Sequence, residues 1–87
     1  MKAVITVIGK DMVGLLARVA TTCAESNANV LEVTQNVLQD YFAMIMIIDI
    51  TQMNCDIDEL RGRLAKNVPE MIIHVMHEDI FNSMHRI

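Results

Sequence analysis

The residues best suited to chemistry lie in residues 9–17, between the first apolar run and the first amphipathic segment. Gly14 falls where a helix should begin, although glycine costs a helix about 1 kcal/mol relative to alanine. This indicates that another group approaches the backbone closely at Gly14. Asp11 is predicted to be the N-cap. Because the first amides of a helix lack intrahelical acceptors and carry partial positive charge, the turn is predicted to hold a carboxylate. The alternative is that Gly14 only allows tight packing against a strand or a neighbouring subunit.

The three histidines are the other residues that invite a catalytic or metal-binding interpretation. His74 lies inside the predicted fourth strand, where a histidine on a partly covered face is usually structural. A second group combines two imidazoles with two carboxylates, namely His77, Glu78, Asp79 and His85. Its spacing matches no established metal motif and fits a solvated strand end followed by a helix cap equally well. No metal ion and no cofactor are predicted.

The two cysteines are far apart and lack metal-ligand spacing, which favours a reducing compartment over a disulfide scaffold. Cys23 falls on the apolar stripe of the first helix and is predicted to lie in the core. Cys55 has no base near it in the sequence that would make it a nucleophile. Phosphate-binding, dinucleotide-binding and serine-hydrolase motifs are also missing. An enzyme is therefore not predicted.

Length and composition limit the classes of protein further. With 87 residues the chain is predicted to form one domain, residues 1–87, with a helical tail at 79–87. The net charge of −4 and the mostly scattered basic residues argue against a nucleic-acid binder. The longest apolar run, residues 42–48, is far below the ~20 residues that span a bilayer, and no signal peptide is predicted. The chain is predicted to be cytoplasmic.

Hydrophobic residues make up 53% of the chain, which is more apolar surface than one small core is expected to bury. A second copy of the chain is therefore predicted to cover part of the surface. The methionines on predicted strands suit either core packing or an adaptable interface, and the sequence favours neither. These are Met44, Met46, Met71 and Met76.

The spacing of apolar residues predicts strands at 3–8, 30–38, 41–50 and 71–76. Leu16, Val19, Ala20 and Cys23 are predicted to form the core stripe of a first helix that ends near Ser26. A second helix is predicted to start with a D-x-x-E cap and to end before the only proline, and Ile57, Leu60 and Leu64 form its apolar stripe. A short final helix with Ile80, Met84 and Ile87 on one side follows.

This order predicts an α+β, ferredoxin-like βαββαβ sandwich plus a short C-terminal helix. Its four-stranded antiparallel sheet should place strands 1 and 3 in the centre, since these are apolar on both faces, and both helices on one face. The second strand alternates, with Leu31, Val33 and Val37 on one side, and Gln39-Asp40 is the predicted hairpin turn. A second copy or the C-terminal tail must cover the open face.

The motif Asp11-x-x-Gly14-Leu15-Leu16-Ala17, after a strand and at the start of a helix, resembles the signature of ACT domains. The segment 27–30, Asn-Ala-Asn-Val, is similar to that family too, and the whole chain resembles its small stand-alone members. The resemblance implies an amino acid bound at an interface between paired domains. By position it implies the ligand-binding residues Asp11, Met12, Val13, Gly14, Leu15, Asn27 and Asn29.

Two functions follow from this resemblance. The first is a homodimeric regulatory protein that binds a small molecule, most simply an amino acid, through the loop between strand 1 and helix 1. The alternative is an interaction module that regulates a partner enzyme or transcription factor and has no ligand of its own. The sequence does not decide whether two copies join edge to edge or face to face.

Overall fold

The computed structural model describes residues 1–10 and 14–84 of the chain. Four strands and three helices follow one another within these residues. They are β1 (Lys2–Gly9), α1 (Leu15–Glu25), β2 (Asn29–Leu38), β3 (Tyr41–Asp49), α2 (Ile57–Asn67), β4 (Ile72–His77) and α3 (Glu78–Met84). The strands form one antiparallel sheet in the order β2-β3-β1-β4. The predicted ferredoxin-like architecture is therefore confirmed, with strands 1 and 3 in the centre.

The two central strands are apolar on both faces because both of their faces are covered at least in part. On the helix side, Ala3, Ile5 and Val7 of β1 lie in the same buried cluster as the core residues of β3, which are Phe42, Met44, Met46 and Ile48. Met71 belongs to this cluster as well. The sequence did not decide whether the strand methionines lie in the core or at an interface. Met44, Met46 and Met71 are core residues, whereas Met76 is half-buried on the opposite face of the sheet.

Helix α1 begins later than the sequence predicted. The residue before its first helical residue is Gly14, not Asp11, which lies outside the described residues. Its buried residues are Leu15, Val19, Thr22 and Cys23, so the predicted stripe was right at Val19 and Cys23. It was wrong at Leu16, whose side chain is 39% exposed, and at Ala20, which is only half-buried. Leu15 precedes Val19 by four residues and Cys23 by eight, so it lies on the same face of α1 and extends the buried stripe to the helix start.

Helix α2 confirms its sequence signals. Asp56 is the N-cap, and its carboxylate accepts a hydrogen bond of 2.8 Å from the backbone N–H of Glu59. Leu60 and Leu64 are fully buried, and Ile57 packs against the core from a half-buried position. Acidic residues in the first turn and Lys66 in the last turn complement the helix dipole.

Strand β2 forms one edge of the sheet and contains an irregularity at its start. The pairing with β3 shifts between Val30 and Glu32, which leaves Leu31 in a bulge with 43% of its side chain exposed. The predicted alternation was therefore wrong at Leu31. The predicted turn at Gln39-Asp40 is confirmed by the pairing of Leu38 with Tyr41, and Gln39 has a positive φ of 56°.

Helix α3 follows β4 directly and contacts β1 and β4. It starts at Glu78, one residue before the predicted cap, and none of its residues is buried. Ile80 and Met84, predicted to face the protein, are 52% and 65% exposed, while Phe81 is half-buried. Ile87 lies outside the described residues. None of the helices described here is long and apolar enough to cross a membrane.

Candidate functional site

The residue that precedes the first helical residue of α1 is Gly14. Gly14 has φ 70° and ψ 3°, a left-handed conformation that favours glycine. No side chain of the described residues caps the helix start, and its first turn holds no acidic residue. Within the described residues, no side chain neutralises the partial positive charge of the first amides of α1, which a carboxylate or another anion would offset.

The reason for the glycine differs from the predicted one. A Cβ placed on Gly14 would meet no atom of the described residues within 4 Å, so neither a strand nor another group in that part of the chain approaches closely there. The positive φ accounts for Gly14 instead. The close approach occurs at Gly9, where a Cβ would overlap Sδ of Met71. Gly9 therefore packs the end of β1 against the residue before β4, and Gly14 leaves open space over the helix start.

The remaining predicted residues of this turn contribute unequally. Asp11, Met12 and Val13 lie outside the described residues. Leu15 is buried as a whole residue, and its side chain lies in the core. At this end of α1 the described part of the site is therefore the exposed backbone of Gly14 and the helix turn that follows it.

The opposite end of α1 is closed by a Schellman motif in which asparagine replaces the usual glycine. Asn27 has φ 59°, which confirms the left-handed conformation expected at this position. The backbone N–H of Asn27 donates to the carbonyl of Ala24, and that of Ala28 to the carbonyl of Cys23. The buried Ala28 and Cys23 supply the hydrophobic contact of the motif.

Side chains from α2 and from the segment before it hold this end of α1 in place. Asn54 donates through Nδ2 to the carbonyl of Glu25, and its N–H donates to the carbonyl of Ser26. Arg63 donates through Nη1 to Oδ1 of Asn54 and to Oγ of the fully buried Ser26. These bonds fix the direction in which the chain leaves α1 and enters β2.

Asn27 and Asn29 line one groove of about 480 Å³ together with Asp49 and Gln52. Nδ2 of Asn27 donates to the carbonyl of Gln52 at 2.7 Å, a bond in which its oxygen Oδ1 takes no part. Asn29 pairs with Asp49 across β2 and β3. Hydrogen bonds from Thr51 hold the pKa of Asp49 below its usual value, with a smaller contribution from the N-terminal ammonium. The groove thus presents amide oxygens and a carboxylate, which suit an ammonium group.

Sequence reasoning missed Asp49 and Gln52. The signal that could have found Asp49 is the hairpin register: counting back from the Gln39-Asp40 turn places the end of β3 beside the start of β2. The bulge at Leu31 then moves the pairing by one residue, so that Asn29 and not Val30 faces Asp49.

Within one chain the two predicted halves of the site do not meet. Gly14 and Leu15 lie at one end of α1, and Asn27 and Asn29 lie beyond its other end. A helix of 11 residues is about 16 Å long, which is longer than an amino acid backbone. A shared site requires residues from two copies of the chain.

The residues that invite an enzymatic or metal-binding reading form no such centre in the described part of the chain. No group of three or more His, Cys, Asp or Glu side chains lies there in an arrangement that could hold a metal ion. His85 lies outside the described residues. Cys23 is fully buried as predicted, and burial raises the pKa of its thiol to about 11, so it is a poor nucleophile at neutral pH.

Comparisons with known proteins identify the family. The sequence profile of the ACT domain matches residues 2–77, so the chain belongs to the ACT domain family. ACT domains are regulatory ligand-binding domains. A UPF0237 protein of Listeria monocytogenes is 43% identical over 89 residues, which cover all of both chains. A UPF0237 protein of Clostridium perfringens is 46% identical over 91 residues, again over the full length of both. Among solved structures, an ACT domain protein from Streptococcus pneumoniae superimposes with a TM-score of 0.77 and 32% identity, covering 93% of each chain.

Proposed function

We propose that this chain is a regulatory protein, not an enzyme, and that it binds a free amino acid between two copies of itself. Membership of a family of regulatory ligand-binding domains supports a ligand, and the start of α1 supports its class. The observation that carries the proposal is the pairing of a helix start that no side chain of the described residues caps with an acceptor-rich groove at the other end of the same helix.

The first half of the site holds the carboxylate of the amino acid. The backbone amides after Gly14 donate to it, and the open space over Gly14 admits it. Asp11, Met12 and Val13 complete this turn by position in the family motif. Hydrogen bonds to a charged group contribute about 1.5–3 kcal/mol each. Two or three such bonds, offset by the cost of association, give the modest affinity of a metabolite sensor.

The second half receives the ammonium group. Asn27 and Asn29 line the groove beside Asp49, whose lowered pKa keeps it ionised at neutral pH. A carboxylate and amide oxygens at one end, facing amides at the other, match the two charges of a zwitterion. Asp49 joins Asn27 and Asn29 as a proposed ligand-binding residue.

The topology favours one arrangement of the two copies. β2 is an edge strand of ten residues and lies in the sheet beneath α1, with Leu31 and Val37 exposed along it. Antiparallel pairing of two β2 edges reverses the direction of α1 in the second copy. Gly14 of one copy then comes to the same end of the joined sheet as Asn27, Asn29 and Asp49 of the other. We therefore propose an edge-to-edge homodimer, which also covers an edge that would otherwise be open to aggregation.

The proposal includes three further statements. Residues 1–87 act as one ACT domain, with residues 79–87 as its helical tail. The ligand is a cytoplasmic metabolite, which places the protein in the cytoplasm. No cofactor takes part, because binding alone shifts the regulatory state.

Thermal unfolding in the presence of each of the twenty amino acids tests the proposal. A ligand at ten times its Kd adds about 1.4 kcal/mol to the stability of the folded state. For a domain of this size that raises Tm by roughly 6–11 °C, in a concentration-dependent way. Gly14→Leu should abolish the shift, because a side chain at φ 70° strains the turn and covers the amides. Gly62→Leu is the matched control, since Gly62 lies on α2 with open space around it and no positive φ.

A second variant distinguishes an effect on ligand binding from an effect on folding. Asn27→Gly keeps a residue that adopts the left-handed conformation and removes the side-chain amide together with its hydrogen bond to the carbonyl of Gln52. The backbone hydrogen bonds of the Schellman motif remain, so the fold should persist while ligand affinity falls about tenfold or more. Sedimentation checks that each variant remains a dimer. The amino acid proposal is wrong if none of the twenty shifts Tm, or if Gly14→Leu responds as the wild type does. If none of the twenty amino acids shifts Tm, the alternative is favoured, namely that the chain regulates a partner protein and has no ligand of its own.

A further inference from the structure

The face of the sheet opposite α1 and α2 is covered only at one end. By register, alternate residues of the three strands β1, β3 and β4 point to this face, among them Val4, Ile8, Ile45 and Ile72. Val4 is 1% exposed, although it points away from the helix-side core. Helix α3, which contacts β1 and β4, accounts for that burial. At the other end Ile8, Ile45 and Ile72 are 45%, 39% and 61% exposed.

A groove of about 370 Å³ runs where the covered and uncovered parts meet. Thr6, Ala43 and His74 contribute to its floor, and Phe81 and Met84 of α3 to its wall. Among the described residues, Thr6 and His74 are the polar ones that line it, and they are direct neighbours in the register of β1 and β4. None of the described Asp, Glu, Lys or Arg residues lines the groove, although charged residues make up 21% of the chain.

We propose that this groove binds a small apolar molecule with a single hydroxyl or carboxyl group. Ligand sites in proteins have volumes of roughly 300–1,000 Å³ and combine apolar walls with a few convergent polar groups. The groove has both properties. The hydroxyl of Thr6 and the imidazole of His74 can each donate or accept a hydrogen bond, so they orient the polar group of the ligand while the hydrocarbon lies against Ala43 and Met84.

The uncovered end of this face offers three exposed isoleucines, Ile8, Ile45 and Ile72. A stable protein interface involves about 20–30 residues and about 800 Å² of accessible surface on each partner. Three isoleucine side chains are far fewer than that and suit one face of a small ligand, so the proposed occupant is a small molecule and not a second copy of the chain. This site lies on the opposite face of the sheet from α1, so it does not depend on the proposed amino acid site.

Nuclear magnetic resonance titration of the ¹⁵N-labelled chain with 1-octanol, and separately with octanoate, tests this proposal. We expect saturable shifts at the amides of Thr6, Ala43 and His74 for at least one of the two probes. The two titrations distinguish a hydroxyl from a carboxyl group. Met84→Ala should weaken binding about fivefold or more, because the variant loses one apolar wall of the groove. Since Met84 is 65% exposed, this variant should fold normally.

Ile80→Ala is the matched control. Ile80 lies on the same helix, is similarly exposed and does not line the groove, so its replacement should leave affinity unchanged. The absence of saturable shifts with both probes, or equal affinities of the Met84→Ala and Ile80→Ala variants, would overturn the proposal. Dissociation of a dimer by Ile72→Lys, measured by sedimentation, would also overturn it and would make this face an interface between copies.

Discussion

Helices α1 and α2 have the same length and cover the same face of the sheet, yet they begin in opposite ways. The start of α2 is satisfied by its own sequence: Asp56 accepts from the N–H of Glu59, and two acidic residues occupy the first turn. The start of α1 has Gly14 at the capping position, no side-chain cap from the described residues and no acidic residue in its first turn.

The two helix starts therefore differ in two properties: the stabilisation that a side-chain cap gives the helix, and the availability of the first amides to another acceptor. A side-chain cap stabilises a helix by about 0.5–2 kcal/mol and at the same time occupies the amides that could hold an anion. Helix α1 receives no such stabilisation from the described residues and depends on the burial of Leu15, Val19 and Cys23. No side chain of the described residues occupies its first amides. In α2 the same positions are already taken.

The largest effect should come from the residue that opens each helix. Leu15→Ala removes a fully buried side chain from a helix start that has no cap to compensate, and should lower the free energy of unfolding by about 2–5 kcal/mol. Ile57→Ala changes the corresponding residue of α2, which is half-buried and follows the Asp56 cap, and should cost less. Urea denaturation measures both. Equal losses would show that packing does not replace the cap in α1.

The two helix-associated glycines should respond with opposite signs to the same substitution. A Cβ at Gly14 or Gly62 meets nothing within 4 Å, so only the backbone conformation differs. Gly14→Ala forces a left-handed φ on alanine and should destabilise the chain by roughly 1–2 kcal/mol. Gly62→Ala should stabilise it by about 0.5–1 kcal/mol, because alanine is the better helix former. Thermal unfolding of the two variants provides the measurement, and a neutral Gly14→Ala would remove the requirement for glycine at that turn.

The same contrast explains what the sequence could and could not predict. The start of α2 was predicted correctly because its cap is a contact between residues three apart, which the D-x-x-E pattern encodes. The central strands were predicted because β1 and β3 are apolar on both faces. The start of α1 was predicted three residues too early, because Asp11 is a good capping residue by type while the left-handed φ of Gly14 is set by the path of the chain.

The prediction of the site was incomplete for a different reason, because the site depends on contacts between residues that are far apart in the sequence. Gly14 and Asn27 come from two sequence segments that resemble the same family, yet they lie at opposite ends of one helix, so the shared resemblance did not imply proximity in space. Asp49 was missed because its place beside Asn29 depends on a hairpin register and on a bulge. Local patterns therefore fixed the types of the elements, whereas the neighbours of each candidate ligand-binding residue depend on pairing over long distances in the sequence.

The smallest effect should follow removal of the α2 cap. Asp56→Ala should lower the free energy of unfolding by about 1 kcal/mol, because the N–H of Glu59 loses its acceptor. Asp58→Ala is the control: its side chain is exposed and pairs with Arg61 on the surface, so its loss should cost less. Thermal unfolding measures both variants. A loss no greater for Asp56→Ala than for Asp58→Ala would contradict the capping role.

The Asp56→Ala variant also asks whether an uncapped helix start is sufficient for binding. Its α2 amides would be as free as those of α1, but no groove with Asn27, Asn29 and Asp49 belongs to that end of the proposed dimer. We therefore expect any response of Tm to amino acids to remain that of the wild type, and to disappear when Gly14→Leu is combined with Asp56→Ala. A response that persists in the double variant would mean that free helix amides alone bind the ligand, and that the second half of the proposed site is unnecessary.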